Sequence, residues 1–278
     1  IVISANGPQP QRAEVLGIYG SPSAYWSGGG RLSDLGVNAV FMHHGLGAEQ
    51  SARAHGEGAW VFAEFGVFRN RRLANQRPEL WPIASDGRPI PPTERFLGLC
   101  PTNEQYNEEK LEELRRLIRE RELMGVWLDY LHFHSDFELP DPPLVQSCFN
   151  DSCLARFEAD TGLHPQGDSR EDKAKWILAN HPQAWTDWKC AVITDFARRA
   201  REVIDAERPG MLLGIYSCPW TDEEYDGGIR RIVAEHIAEL APHVDVFSPM
   251  GRRFHCGRLI ARTASETSVC HSLPRENR

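Results

Sequence analysis

Nowhere does the 278-residue chain run through the roughly 18 to 20 consecutive apolar residues that a membrane-crossing helix needs. Its first 30 residues also lack a basic start followed by an apolar stretch. A membrane partner and an attached secretion signal are therefore not expected, and a cytoplasmic location is. The chain begins at Ile1 rather than Met, which reads as a processed or excised piece. A basic surplus is missing as well: 31 Lys and Arg face 39 Asp and Glu, a formal net charge of −8. That balance argues against a broad phosphate-neutralising surface, so nucleic acid is not an expected partner. Cysteine is sparse, with seven residues in all. An odd, small set excludes a disulfide-dense scaffold of this size and points to a reducing compartment, with room for a local metal cluster. A phosphate-cradling glycine loop is absent too, because neither GxGxxG nor GxxxxGK[ST] follows the first apolar run, and Gly28, Gly29 and Gly30 come too late after it.

What the sequence does contain is a repeated alternation of short apolar runs with helical stretches. Strands are expected at residues 15–19 (VLGIY), 37–42 (VNAVFM), 60–65 (WVFAEF), 126–133 (VWLDYLHF), 211–216 (MLLGIY) and 244–248 (VDVFS). Helices are expected at 31–35, 104–123, 152–160, about 184–206 and 228–240. The second of these is the clearest, with Leu111, Leu114, Leu117 and Ile118 at helical spacing among alternating Glu and Arg. Strands apolar on both faces and separated by helices describe a parallel sheet of βα units. Without a dinucleotide fingerprint, the α/β class expected is a (β/α)8 TIM barrel rather than a doubly wound sheet. Six units are recognisable where a full barrel has eight. Residues 1–250 are expected to form the barrel-type domain. Residues 251–278 carry six arginines against two glutamates and no Trp or Tyr, and read as a basic irregular tail that does not continue the native pattern, leaving the barrel truncated.

In a barrel, catalytic groups sit at the carboxyl ends of strands and in the loops that follow. Glu64 ends the third run, His43 and His44 end the second, and Asp129 lies in the fourth among Val126, Trp127, Leu128 and Leu131. A carboxylate in so apolar a run must be hydrogen-bonded or functional. Two carboxylates flanking a glycosidic bond are the minimum equipment for glycoside hydrolysis, and Glu64 with Asp129 is the best pair available. Trp127, Tyr130, His132, His134, His44 and Trp220 are the candidate substrate-binding residues, the aromatic rings being of the kind that sugars stack upon. A different reading makes His43, His132 and His134 ligands of a metal-dependent barrel hydrolase. A third is a non-catalytic carbohydrate-binding barrel.

Cysteines supply a second constellation: Cys148-Phe-Asn-Asp-Ser-Cys153, with Cys100 on the preceding long loop. Cys100-Pro101-Thr102-Asn103 together with Cys148-x-Asn150-x-x-Cys153-Leu-x-x-Phe157 resembles the zinc cluster of the β-galactosidases of glycoside hydrolase family 42. The resemblance runs over residues 60–162. It implies a TIM-barrel glycoside hydrolase of carbohydrate metabolism, a carbohydrate substrate, and one structural zinc held by Cys100, Cys148 and Cys153. Asn150 stands where that family has a further Cys, so either Asp151 or a histidine completes the ligand set or the site stays empty. The chain departs from the family at the chemistry: the Asn-Glu pair that ends strand four there is replaced by Leu128-Asp129-Tyr130. That run looks more like uncharacterised glycosidase-like and fucosidase-like barrels, in which an Asp at this place is the nucleophile. A homo-oligomer is compatible with all of this.

Overall fold

The computed structural model describes residues 2–3, 15–92 and 98–250. The basic stretch 251–278 lies outside the described residues. Among the described residues seven strands form one sheet: β1 (Val2–Ile3), β2 (Gly17–Tyr19), β3 (Ala39–His43), β4 (Trp60–Gly66), β5 (Gly125–Asp129), β6 (Leu212–Ser217) and β7 (Val246–Pro249), in the order β1-β7-β6-β5-β4-β3-β2. Strands β2 to β7 are all parallel, each beside its successor, and β1 joins β7 antiparallel. Six sequential parallel strands that curl in this order are a half-barrel of the (β/α)8 type.

Among the described residues eight α-helices accompany the strands: α1 (Ser23–Ser27), α2 (Ala48–Gly56), α3 (Arg71–Gln76), α4 (Glu104–Glu120), α5 (Asp151–Thr161), α6 (Arg170–Asn180), α7 (Pro182–Glu207) and α8 (Ile237–Leu240). α4 starts where Asn103 accepts the Tyr106 N–H at 2.9 Å, which satisfies one of the donors a helix start leaves open. Its apolar stripe, Leu111, Leu114, Leu117 and Ile118, is buried. α7 contributes Ile193, Phe196, Ala197, Ala200 and Ile204, buried in the same core as the outward-facing strand residues Val61, Phe65, Val126, Leu128, Leu213 and Ile215. Burial of apolar surface in this helix-on-sheet layer stabilises the fold by about 25 cal/mol per Å².

Period-two alternation sends the other half of each strand into the barrel interior. Ala39, Phe41, Phe62, Trp127, Tyr216 and Val246 form a separate cluster there. Trp127 meets Phe62 and Phe41 edge-on, with ring centroids 4.8 and 5.1 Å apart. Room for its indole comes from Gly214 on the neighbouring strand, where a Cβ would lie 2.3 Å from the ring.

Two expected elements end early. The fourth run stops at Asp129 because Tyr130 turns into the left-handed region at φ 54, just after the Val67 N–H has bonded the Asp129 carbonyl in the β4–β5 ladder. His132 and His134 therefore belong to the following loop and not to a strand. Over 228–240 the helix is a π-helical turn, Ile229–Val233, broken at Ala234 (φ 67). The break lets the buried carboxylate of Glu235 accept the Cys218 N–H at 2.9 and 3.2 Å.

Candidate active site

Strand pairing sets the inward-facing residues at the carboxyl end of the sheet. Glu64 pairs with His43 on one side and Trp127 on the other. Two residues past Trp127 on the same face comes Asp129, and two past Gly214 comes Tyr216, which pairs with Ser248. Tyr19, His43, Glu64, Asp129, Tyr216 and Ser248 thus form a polar rim, one from each parallel strand, above the aromatic floor of Phe41, Phe62 and Trp127.

Within this rim Tyr216 donates its hydroxyl proton to Glu64 Oε1 at 2.9 Å. The rings of Tyr19 and Tyr216 lie beside one another, with centroids 5.9 Å apart. Burial, then the negative charge of Glu64, pushes the Tyr216 phenol far above its ordinary value, so it stays a donor at all working pH. Trp127 Nε1 donates to Ser248 Oγ at 3.0 Å. Asp129 accepts the N–H of Tyr130 at 2.9 Å. Burial raises its pKa to about 6, with the charge of Glu64 adding to the rise and the Tyr130 N–H and Arg69 opposing it. The Arg69 guanidinium stacks over the Tyr130 ring at 4.7 Å.

The expected residues are distributed unevenly around this site. Glu64 and Asp129 come together on one face. Trp127 is 2% exposed, so it forms the floor beneath the carboxylates rather than an open stacking surface. Tyr130 is half-buried at the rim. His44 takes a left-handed backbone (φ 56) and turns to the helix side, where it lies 3.4 Å from Glu113 of α4 and stacks beside Phe65. Burial pushes the pKa of both His132 and His134 down to about 4. His132 bonds the carbonyl of its neighbour Phe133 at 2.6 Å and packs on Phe137. Trp220 is buried against Phe137 and Tyr225. His43, His132 and His134 do not gather as ligands, which removes the metal-hydrolase arrangement among the described residues. The tyrosines escaped sequence reasoning, though inward parity after Gly17 and Gly214 marks both.

Cys100, Cys148 and Cys153 do converge: their sulfurs all lie within 4.8 Å of one another, fully buried, the one such group among the described residues. Cys100 is brought in by the loop before α4, Cys148 by the loop after β5, and Cys153 by the first turn of α5. The Ile83 N–H donates to Cys148 Sγ at 3.3 Å, the kind of contact that orients and stabilises a metal-bound thiolate. Cys100 and Cys153 sulfurs are 3.3 Å apart, and Thr102 Oγ1 lies 3.2 and 2.9 Å from them. Asn150 caps α5 by accepting the Cys153 N–H at 2.7 Å, and Asp151 is held by both ends of the Arg170 guanidinium at 2.9 and 2.5 Å. Neither joins the sulfurs. Three soft, buried donors fit a structural metal centre of the zinc type.

No family model matches the chain, and no curated protein sequence does. Solved structures match by fold. The PgaB (BpsB) glycoside hydrolase domain from Bordetella bronchiseptica superposes with a TM-score of 0.57 at 14% identity, over 77% of this chain and 64% of that one. A β-galactosidase from the psychrophilic Marinomonas ef1 gives 0.60 at 12% identity, over 86% and 41%. One from the Antarctic haloarchaeon Halorubrum lacusprofundi gives 0.57 at 12%, over 86% and 40%. The chain spans under two thirds of the PgaB domain and about two fifths of each β-galactosidase. The likeness is one of fold, that of the (β/α)8 TIM barrel.

Proposed function

We propose that the protein is a glycoside hydrolase acting on a carbohydrate, with Asp129 as the proton donor to the glycosidic oxygen and Glu64 as its anionic partner. One observation carries the reading: two carboxyl groups on adjacent strands face the same trough at the catalytic end of a half-barrel, and one of them has its proton affinity raised. An acid must keep its proton near the working pH and release it as the bond breaks, which a carboxyl with a pKa of about 6 does. A carboxylate that accepts the Tyr216 proton is held in one orientation, as an attacking or water-activating group requires. Tyr19, 62% exposed at the rim, offers the ring on which a sugar stacks. The names of the solved structures that share the fold, a glycoside hydrolase domain and β-galactosidases, make this reaction class the first to test.

The sulfur cluster is read as a structural zinc centre that ties the loop before α4 to the start of α5. Bound there, zinc supplies folding free energy, and full burial leaves it no open position for substrate.

Chromogenic glycosides of varied sugar and anomer, run beside oligosaccharide binding by calorimetry, test the function. Turnover of at least one glycoside supports it. Binding without turnover across the panel supports the non-catalytic barrel and overturns it.

A further inference from the structure

We infer that Thr102 supplies the fourth donor of the buried sulfur site, making it a centre of three thiolates and one hydroxyl. The inference rests on the reading of the cluster as a zinc centre, and goes beyond it by assigning the missing ligand.

A tetrahedral structural zinc takes four donors, at about 2.3 Å for sulfur and about 2.0 to 2.2 Å for oxygen. The donor atoms then lie roughly 3.3 to 3.8 Å from one another, by the geometry of those bond lengths. Three sulfurs are in place, and the fourth donor has to come from an atom already packed against them. Residue 150 is not that atom. Its amide oxygen accepts the Cys153 N–H at 2.7 Å and the Ser152 hydroxyl at 2.9 Å, so both lone pairs are engaged in starting α5. Turning it to the sulfurs would uncap the helix that carries Cys153. Asp151 is tied to Arg170, and among the described residues no further His, Cys, Asp or Glu joins the group.

Thr102 Oγ1 is already packed against the sulfurs, a few tenths of an ångström closer than a filled shell would set it. It is in contact with Cys100 Sγ and Cys153 Sγ at 3.2 and 2.9 Å, and the residue is 5% exposed. Among the described residues those two sulfurs are its hydrogen-bonding partners. Its position is fixed by the chain: Thr102 lies two residues after Cys100 and just before the Asn103 cap of α4. Metal uptake would release the three thiol protons to solvent while the hydroxyl stays neutral, so the shell carries one negative charge fewer than a four-thiolate site. A neutral oxygen is a weaker zinc donor than a thiolate, so this site holds zinc less tightly than a four-cysteine centre.

The test uses the whole chain and compares wild type with Thr102→Val, Thr102→Ser, Thr102→Cys and Asn150→Cys. Zinc affinity is read by competition with a chromophoric chelator. Thiolate number and geometry are read from the charge-transfer and ligand-field bands of the cobalt(II) form, and circular dichroism confirms folding. Wild type should bind one zinc with three-thiolate cobalt bands. Thr102→Val should weaken zinc about tenfold or more and shift the ligand-field bands, while Thr102→Ser should keep both. Thr102→Cys should tighten binding about tenfold or more and add a thiolate's worth of charge-transfer intensity, and Asn150→Cys should do neither. Unchanged affinity and bands in folded Thr102→Val, or an added thiolate in Asn150→Cys, overturns the role of Thr102 and leaves the metal centre standing. Failure of wild type to bind either metal overturns the metal reading and this inference with it.

Discussion

Tyr216 on β6 donates its phenolic proton to Glu64 on β4 at 2.9 Å, a bond that reaches across the intervening strand β5. It ties together three neighbouring strands at the end of the sheet where Asp129 lies, and it fixes which way the Glu64 carboxylate points. A hydrogen bond to a charged group contributes about 1.5 to 3 kcal/mol, and here that energy holds geometry rather than the fold.

Tyr216→Phe keeps the ring in the inner cluster and removes only the hydroxyl. The expected result is a loss of roughly 10- to 100-fold in kcat/KM, the equivalent of about 1.4 to 2.8 kcal/mol, with a melting temperature within a few degrees of wild type. Steady-state kinetics on a turned-over glycoside and a thermal melt measure the two halves.

Asp129 has a stability signature separate from catalysis. Its pKa is raised from 3.8 to about 6 in the fold, so between about pH 4 and 6 the folded state holds a proton that the unfolded state has lost. Stability therefore falls as pH rises through that window, and the cost stays fully present at pH 7. Asp129→Asn removes it. The variant should be more stable than wild type at pH 7 by about 1 to 3 kcal/mol, with the difference shrinking toward pH 4. Denaturant titrations at pH 4, 5, 6 and 7 check both sign and window.

Gly214→Ala places a methyl 2.3 Å from the Trp127 indole. The ring must tilt, which weakens its bond to Ser248 and disturbs its edge-on contacts with Phe41 and Phe62. Overpacking of this kind costs about 1 to 3 kcal/mol. The denaturant midpoint should drop accordingly, with a changed near-ultraviolet dichroism.

Much of the fold was legible because parallel strands buried on both faces write themselves as apolar runs. The runs containing Phe62 and Leu213 coincide with β4 and β6, and the Leu111 to Ile118 stripe with α4. Ends were less legible. The fourth run looked continuous through Phe133, but a left-handed Tyr130 ends the strand at Asp129, and no residue type announces that turn. α6 has a Ser169 and Asp172 capping box but writes only a weak apolar stripe, with Ala174 and Ile177 its buried residues. At the site, Glu64 and Asp129 were readable as polar residues closing apolar runs. Tyr216 was hidden because a tyrosine ending such a run looks like core, and only strand register shows that it meets Glu64. His44 is hard to read for the opposite reason: it follows His43 and stacks on that ring at 4.2 Å, yet its left-handed backbone sets it beside Phe65 and Glu113 on the helix side. Asn150 aligned with a ligand position, yet its local role as a helix cap decided where its side chain went.

The most direct test of the proposed hydrolysis compares kcat/KM of wild type, Asp129→Asn and Glu64→Gln on one glycoside that wild type turns over. General acid–base groups typically contribute about 10²- to 10⁴-fold. Both variants, shown to be folded, should fall by at least about 10²-fold, the lower end of that range. Wild-type turnover by folded Asp129→Asn would contradict the account.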